Sequence, residues 1–152
     1  MPVTSVVGVE ELRALTGQHV GYSTWHEITQ ERVNTFADAT GDQQWIHVDV
    51  DRARSGPFGG TIAHGYLTLS MTTTFMPEIL ETKGFSLGVN YGCEKVRFPS
   101  PVRVGSRLRC GAVVDAVADV PGGVQTTLTL TFEVQGQTKP ACVATIVVRK
   151  YV

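Results

Sequence analysis

The chain has 152 residues, 42% of them hydrophobic, which suits a single domain over residues 1–152 with one core. Thirteen Lys and Arg against fourteen Asp and Glu give a formal net charge of -1 without runs of like charge, which argues against nucleic acid or an anionic membrane as a partner. Three scattered cysteines without CxxC spacing indicate neither a disulfide framework nor a zinc knuckle, and we expect an unprocessed cytoplasmic protein with no membrane-spanning segment.

The first forty residues predict two helices and one strand. Residues 9–15 carry apolar side chains at a spacing of three before Gly17, which favours a short helix. Residues 20–28 are typical of a strand. Thr29 is a good N-cap, although Arg32 stands where a capping box has Glu, and it predicts a helix from about residue 30 to Gly41.

The middle of the chain predicts a long loop and a buried helix. Residues 41–61 lose regular periodicity and contain many Gly, Pro and Ser, so we expect a loop with a helical turn near 49–54. Residues 63–80 are apolar or small on nearly all sides, which predicts one long buried helix that Pro77 kinks or ends.

The last third of the chain changes to a period of two with many β-branched residues. It predicts four strands, at residues 85–98, 107–117, 124–134 and 141–151. Helices early and strands late indicate the α+β class, with one antiparallel sheet packed against the long helix and joined by the early strand.

Asp42 and His47 lie five residues apart in the loop, where their side chains can converge on one cavity. A carboxylate beside an imidazole suits general acid/base catalysis, because the imidazole pKa is near neutrality. The same spacing also suits a structural interpretation, in which Asp42 caps a turn and His47 is a hydrogen-bonded, partly buried residue. By spacing alone the structural interpretation is the commoner one.

Gly65 follows Ile62, Ala63 and His64 at the predicted start of the buried helix. Free N–H groups and the helix dipole at such a place can stabilise an oxyanion, for example the enolate of a thioester, and glycine lets a substrate approach the backbone closely. Alternatively this is a plain junction between loop and helix, in which Gly65 only relieves crowding.

These residues together resemble the MaoC-like dehydratase family, which includes R-specific enoyl-CoA hydratases and hydratase 2 domains. The resemblance runs through the family's hydratase motif and covers roughly residues 18 to 150. The matching residues are Phe36, Ala37, Thr40-Gly41-Asp42, Ile46, His47, Asp49, Ala53, Phe58, Ile62-Ala63-His64-Gly65, Lys95 to Val102 and Gly105-Ser106.

The resemblance implies a hot-dog fold, an antiparallel sheet wrapped around one long central helix, that forms a homodimer through the sheet. It implies hydration of trans-2-enoyl-CoA, or of the acyl-carrier-protein thioester, to the (R)-3-hydroxyacyl thioester and the reverse dehydration. Asp42 and His47 are then the catalytic acid/base pair and Gly65 the oxyanion donor. We expect the substrate to be contacted by Trp45, Phe58, His64 and Tyr66.

Neither a cofactor nor a metal is expected, since the chain has no GxGxxG after a strand, no P-loop and no metal-ligand spacing. Two features depart from the family pattern: Gln44-Trp45 replaces the usual Asn-Pro, and Tyr66 replaces Met or Phe. Two alternatives remain open, namely a hot-dog thioesterase whose water attacks the carbonyl, and a non-catalytic acyl-thioester binder or heterodimer subunit.

Overall fold

The computed structural model describes residues 2–152 of the chain. The strands are β1 (Thr4–Val7), β2 (His19–Tyr22), β3 (His26–Glu27), β4 (Leu80–Lys83), β5 (Leu87–Arg97), β6 (Arg107–Val120), β7 (Gly123–Val134) and β8 (Cys142–Tyr151). The helices are α1 (Gly8–Arg13), α2 (Gln30–Thr40), α3 (Trp45–Val48), α4 (Val50–Arg54), α5 (Gly65–Ser70) and α6 (Thr72–Ile79).

The main sheet is antiparallel and has the strand order β2-β6-β7-β8-β5, with β3 also paired to β6. The four late strands and the early strand that joins them are therefore confirmed. Every second residue of β7 is buried, as expected for a strand with one face against a core. That buried face packs against α5 and α6, and Phe132 lies 6.0 Å from Phe75 of α6 between ring centroids.

The early strand predicted at residues 20–28 is interrupted at residues 23–25. There the Ser23 hydroxyl accepts the Cys110 N–H at 3.0 Å, so a side chain replaces part of the backbone ladder. Glu78 of α6 accepts hydrogen bonds from the Thr24 N–H at 3.0 Å and from the Thr24 hydroxyl, and contacts His26 Nε2. Burial raises the pKa of the Glu78 carboxyl, but the bonds from Thr24 and then His26 outweigh it, and the pKa is lowered.

The buried segment predicted as one long helix forms two consecutive helices, α5 and α6, so a single long helix is not confirmed. Met71 joins them and keeps right-handed helical angles, φ -65° and ψ -9°. Its N–H donates to Leu67 O, and its carbonyl accepts the Phe75 N–H at 2.9 Å. Pro77 is accommodated inside the last turns of α6, which ends at Ile79.

Helix α2 has the predicted boundaries. The Thr29 hydroxyl accepts the Arg32 N–H at 3.1 Å, and Gly41 takes the left-handed conformation, φ 79°, that ends the helix. The predicted helical turn near 49–54 is α4, whose N-terminus is capped by the Asp49 carboxylate. Helix α3, within the same loop, was not predicted because four residues are too few for a periodic pattern.

A second, parallel two-stranded sheet pairs β1 with β4, from Thr4 opposite Leu80 to Val7 opposite Lys83. It lies over a small apolar cluster of Val6, Leu12 and Val124. Within residues 2–152, no helix is long and apolar enough to cross a membrane.

Candidate active site

The segment around His47 is held against the segment that precedes α5. The Ile62 N–H donates to Ile46 O at 3.0 Å, and the Ala63 N–H donates to Val102 O at 2.8 Å. The His47 loop therefore sits on a strand-like segment that is itself tied to the main body. This double attachment brings together two stretches of chain that are well separated in sequence.

The hydrogen bond of the His47 ring defines its tautomer. His47 is 6% exposed, and its Nδ1 lies 2.7 Å from the carbonyl oxygen of Ile62. A carbonyl only accepts, so Nδ1 carries the hydrogen and donates. In the neutral imidazole Nε2 then holds the free lone pair and can accept a proton.

His64 lies directly behind the two predicted catalytic residues. It is 3% exposed, and its Nε2 donates to the backbone carbonyl of Asp42 at 3.0 Å. Its ring stacks on the His47 ring with centroids 3.8 Å apart, and Phe36 packs nearby at 4.9 Å. His64 thus supports both Asp42 and His47, and its expected contact with substrate stays a prediction.

The Asp42 carboxylate is exposed, and ligand-capable atoms of Asp42, His47 and His64 all lie within 4.8 Å of one another. The expected convergence of Asp42 and His47 on one place is thus present. The Asp42 carboxylate also accepts the Gln44 N–H at 3.4 Å. Because this bond is long, it gives only weak support to the interpretation of Asp42 as the cap of a turn. An exposed carboxylate beside a buried imidazole leaves both groups able to share one water.

The same three residues form a donor set of a kind found in metal sites, a grouping that sequence spacing alone did not indicate. One observation opposes a metal interpretation. The His47 and His64 rings are stacked with an interplanar angle of 23°, so their in-plane lone pairs run side by side instead of converging on one ion. The geometry suits proton transfer better than metal binding.

Gly65 begins α5, and its N–H donates to no acceptor in residues 2–152. A Cβ on Gly65 would lie 3.1 Å from the Phe98 ring, so a larger residue would displace that ring. Phe98 and Phe58 line a cavity of about 270 Å³ together with Gly65. Phe58 and Gly65 therefore share one cavity, and the expected contact of Phe58 with substrate stays a prediction.

The other two expected substrate residues are placed differently. Tyr66 is 72% exposed and makes an edge contact with Phe98, at 6.2 Å between centroids. Trp45 packs closely on Gly56 and lies under the Arg52 guanidinium, 4.2 Å from the ring centroid. Trp45 thus supports the turn that follows α4, and it is not among the described residues that line the cavity beside Gly65.

Gln30 is a site residue that sequence reasoning missed. Its side-chain amide donates to His47 O at 2.7 Å, and its carbonyl oxygen accepts the Thr61 hydroxyl at 2.6 Å. It therefore links the start of α2 to both stretches that form the site. Only the signal of a helix start was visible at this position, since both partners are distant in sequence.

Helix α3 also accounts for the departure at Gln44-Trp45. Gln44 is its N-cap and makes no side-chain capping bond, and Trp45 is its first residue. Asn at an N-cap and Pro at the first position are the residues that best start a helix. Here the packing of Trp45 on Gly56 holds the turn instead.

An antiparallel sheet packed on central helices is the arrangement of a hot-dog protein, and solved structures share this fold. The (R)-hydratase from A. caviae involved in PHA biosynthesis matches with a TM-score of 0.70 and 24% identity, covering 88% of this chain and 94% of that one. The R-hydratase PhaJ1 from Pseudomonas aeruginosa matches with a TM-score of 0.72 and 20% identity, covering 90% of this chain and 81% of that one.

The chain belongs to the family of the MaoC like domain, whose model matches residues 11–135. It is 54% identical over 142 residues to the 3-hydroxyacyl-thioester dehydratase Z of Mycobacterium tuberculosis, covering 93% of this chain and 94% of the relative. The predicted family, hot-dog fold and hydro-lyase class are thereby confirmed.

Proposed function

We propose that the protein catalyses the reversible addition of water to trans-2-enoyl thioesters, giving (R)-3-hydroxyacyl thioesters. The observation that carries this proposal is the His47 ring, fixed on the Ile62 carbonyl with its Nε2 free beside the exposed Asp42 carboxylate. The name of the mycobacterial relative, a 3-hydroxyacyl-thioester dehydratase, supports the same reaction class.

In the hydration direction, one water lies between His47 Nε2 and the Asp42 carboxylate. Both groups accept hydrogen bonds from it and so raise the nucleophilicity of its oxygen. The oxygen bonds to C3 while the pair takes one proton, and the pair returns that proton to C2. The enoyl thioester gains one water, and the Asp42 and His47 pair returns to its starting protonation state. Because the oxygen and the proton are delivered from a single side of the double bond, one enantiomer is produced.

The Gly65 N–H serves the thioester carbonyl. As water attacks C3, negative charge moves onto the carbonyl oxygen, and a fixed N–H donor stabilises that enolate more than the ground state. The N–H is free for this role, and the cavity lined by Phe58 and Phe98 begins beside it. The acyl group is carried by coenzyme A or by an acyl-carrier protein.

The test follows the loss of enoyl-thioester absorbance with crotonyl-CoA, alongside thiol release. Asp42→Asn and His47→Gln should each lower kcat by a factor of about 10²–10⁴ without thiol release. Asp51→Asn and His19→Gln, changes at exposed positions, are matched controls and should retain activity. Thiol release by the native chain would favour the thioesterase alternative, and binding without turnover would favour the non-catalytic alternative.

Gly65→Ala tests the oxyanion donor. The added methyl group meets the Phe98 ring at 3.1 Å and so moves either the ring or the start of α5. We expect kcat to fall while the protein remains folded, as judged by circular dichroism.

We also propose that the protein is a homodimer joined through β5. This strand is the edge of the main sheet, and all its residues except Val96 are exposed. Leu87, Val89 and Tyr91 are 53%, 41% and 59% exposed, an apolar row on an edge that natural proteins normally cover. Light scattering coupled to gel filtration gives the mass directly, and a monomeric mass would contradict the proposal.

A further inference from the structure

The face of the main sheet that packs on α6 contains two polar residues in an otherwise apolar pattern. The inward positions of β7 are Val124, Thr126, Leu128, Leu130, Phe132 and Val134, and those of β8 are Cys142, Ala144, Ile146, Val148 and Lys150. Thr126 is the cross-strand partner of Val148, and Lys150 is the next inward residue along β8. Thr126 and Lys150 are therefore diagonal neighbours on one face.

Neither polar group has a partner within residues 2–152. Thr126 is 2% exposed, and its hydroxyl makes no hydrogen bond. Lys150 Nζ makes no ion pair with a described carboxylate, and burial lowers the pKa of its ammonium group. Lys150 lies over its partner Gly88, where a Cβ would be 3.2 Å from Nζ. Thr126 is buried and Lys150 is half-buried, and polar groups that leave water without a partner are costly, so a ligand that accepts hydrogen bonds from both would be stabilised here.

Thr126 and Lys150 line a cavity of about 720 Å³ between α6 and the sheet, whose walls are otherwise mainly apolar. The Thr72 and Thr73 hydroxyls in its lining donate to backbone carbonyls of their own helical segment. The Glu81 carboxylate in its lining is already engaged, with the Ser5 hydroxyl at 2.9 Å and with Lys83 at 3.5 Å. The Lys150 ammonium is thus the uncompensated charge of this lining.

Two smaller cavities lie along the helices between the candidate active site and the large cavity, and the one beside Gly65 shares no lining residue with the next. The cavity beside Gly65 includes Thr68. The next, of about 170 Å³, begins at Leu69 and shares Thr73 and Asn90 with the large cavity. The helical rise from Gly65 to Met76 in the large cavity is about 16 Å. An acyl chain bound at Gly65 that follows the helices over this distance reaches the large cavity, which Lys150 also lines.

We propose that the large cavity receives the far end of the acyl chain and that Lys150 and Thr126 bind a terminal carboxylate there, making ω-carboxyacyl thioesters the preferred substrates. The inference rests on the proposed hydratase function, because it takes the thioester to lie at Gly65. A carboxylate accepts a charge-assisted bond from Lys150 and a second bond from the Thr126 hydroxyl. A terminal methyl group leaves both donors unsatisfied.

The experiment compares kcat/KM for two enoyl-CoA series of equal backbone length, one ending in a carboxylate and one in a methyl group. The native chain should favour the carboxylate series by about tenfold or more once the chain is long enough to reach the large cavity. Lys150→Met keeps an unbranched side chain that is one atom shorter and removes the charge, and should abolish this preference. Thr126→Val should reduce it, whereas the exposed-lysine control Lys139→Met should leave it unchanged.

Crotonyl-CoA separates this inference from the proposed function, because its acyl group is too short to reach Lys150. All the variants should hydrate it at the native rate, which also shows that they are folded. Hydration of crotonyl-CoA by a native chain that has no preference for the carboxylate series overturns this inference alone. If Lys150→Met retains the preference for the carboxylate series, this inference is overturned as well. If the native chain does not hydrate crotonyl-CoA, the proposed function and this inference are both overturned.

Discussion

Replacing Gln30 by Leu tests whether the site depends on the link between α2 and the His47 loop. The change removes the bond from Gln30 to His47 O and the bond from the Thr61 hydroxyl. Each bond contributes about 1 kcal/mol, and Thr61, which is 6% exposed, is left with an unsatisfied hydroxyl. We expect the free energy of unfolding to fall by about 2–4 kcal/mol. Urea denaturation measures this change directly.

Gln30→Glu separates the two bonds. The glutamate still accepts from Thr61, so we expect part of the stability lost in Gln30→Leu to return. It cannot donate to His47 O, so we expect kcat for crotonyl-CoA hydration to be lower than that of the native chain in both variants. Gln137→Leu, in an exposed turn, is the matched control and should alter neither quantity. The reasoning fails if Gln30→Leu keeps native stability, or if Gln30→Glu hydrates crotonyl-CoA at the native rate.

Three further predictions concern stability and thiol chemistry. Gln44→Asn supplies the missing N-cap of α3 and should raise the free energy of unfolding by about 0.5–1 kcal/mol in urea denaturation; an unchanged midpoint would refute it. Because folding lowers the pKa of Glu78, this carboxylate contributes to the free energy of unfolding above its unfolded pKa of 4.5, and the contribution disappears as the pH falls through the folded pKa. Glu78→Gln should therefore lower the free energy of unfolding at neutral pH and lower it much less in acid. An equal loss of stability at both pH values would contradict this prediction. Burial raises the pKa of Cys110 and Cys142 to about 12, so mass spectrometry should find neither alkylated in the folded protein at about pH 8; alkylation of either would contradict this burial.

Local chemistry made α2 and the late strands predictable from the sequence. The Thr29 cap and the left-handed Gly41 act within a few residues of themselves, and the alternation of β7 repeats with the period of the strand. Asp42 and His47 were found for a similar reason, since one short loop carries both. The predicted start of the buried helix indicated Gly65 as their partner, and the family resemblance assigned the three residues their roles.

The features that were missed depend on distant parts of the chain. Pairing of Thr4 with Leu80 joins strands of four residues, too short for a periodic signal. Gln30 acts through Thr61 and the His47 carbonyl, and neither partner can be inferred from its neighbours. The expected single central helix divides at Met71. The residues there gave no sign of a break, because Met71 keeps helical backbone angles and so needs no helix-breaking residue.

The position of β8 between β7 and β5 has a consequence for the order of folding. Strands β6 and β7 form a hairpin through the turn at Val120 and Gly123 and can pair as soon as both have been synthesised. Strand β5 is made earlier, but its partner is β8, with Leu87 opposite Tyr151. During synthesis β5 therefore remains without its partner while residues 98–141 are added, so the nascent chain carries an open apolar strand that a chaperone or a neighbouring chain can bind.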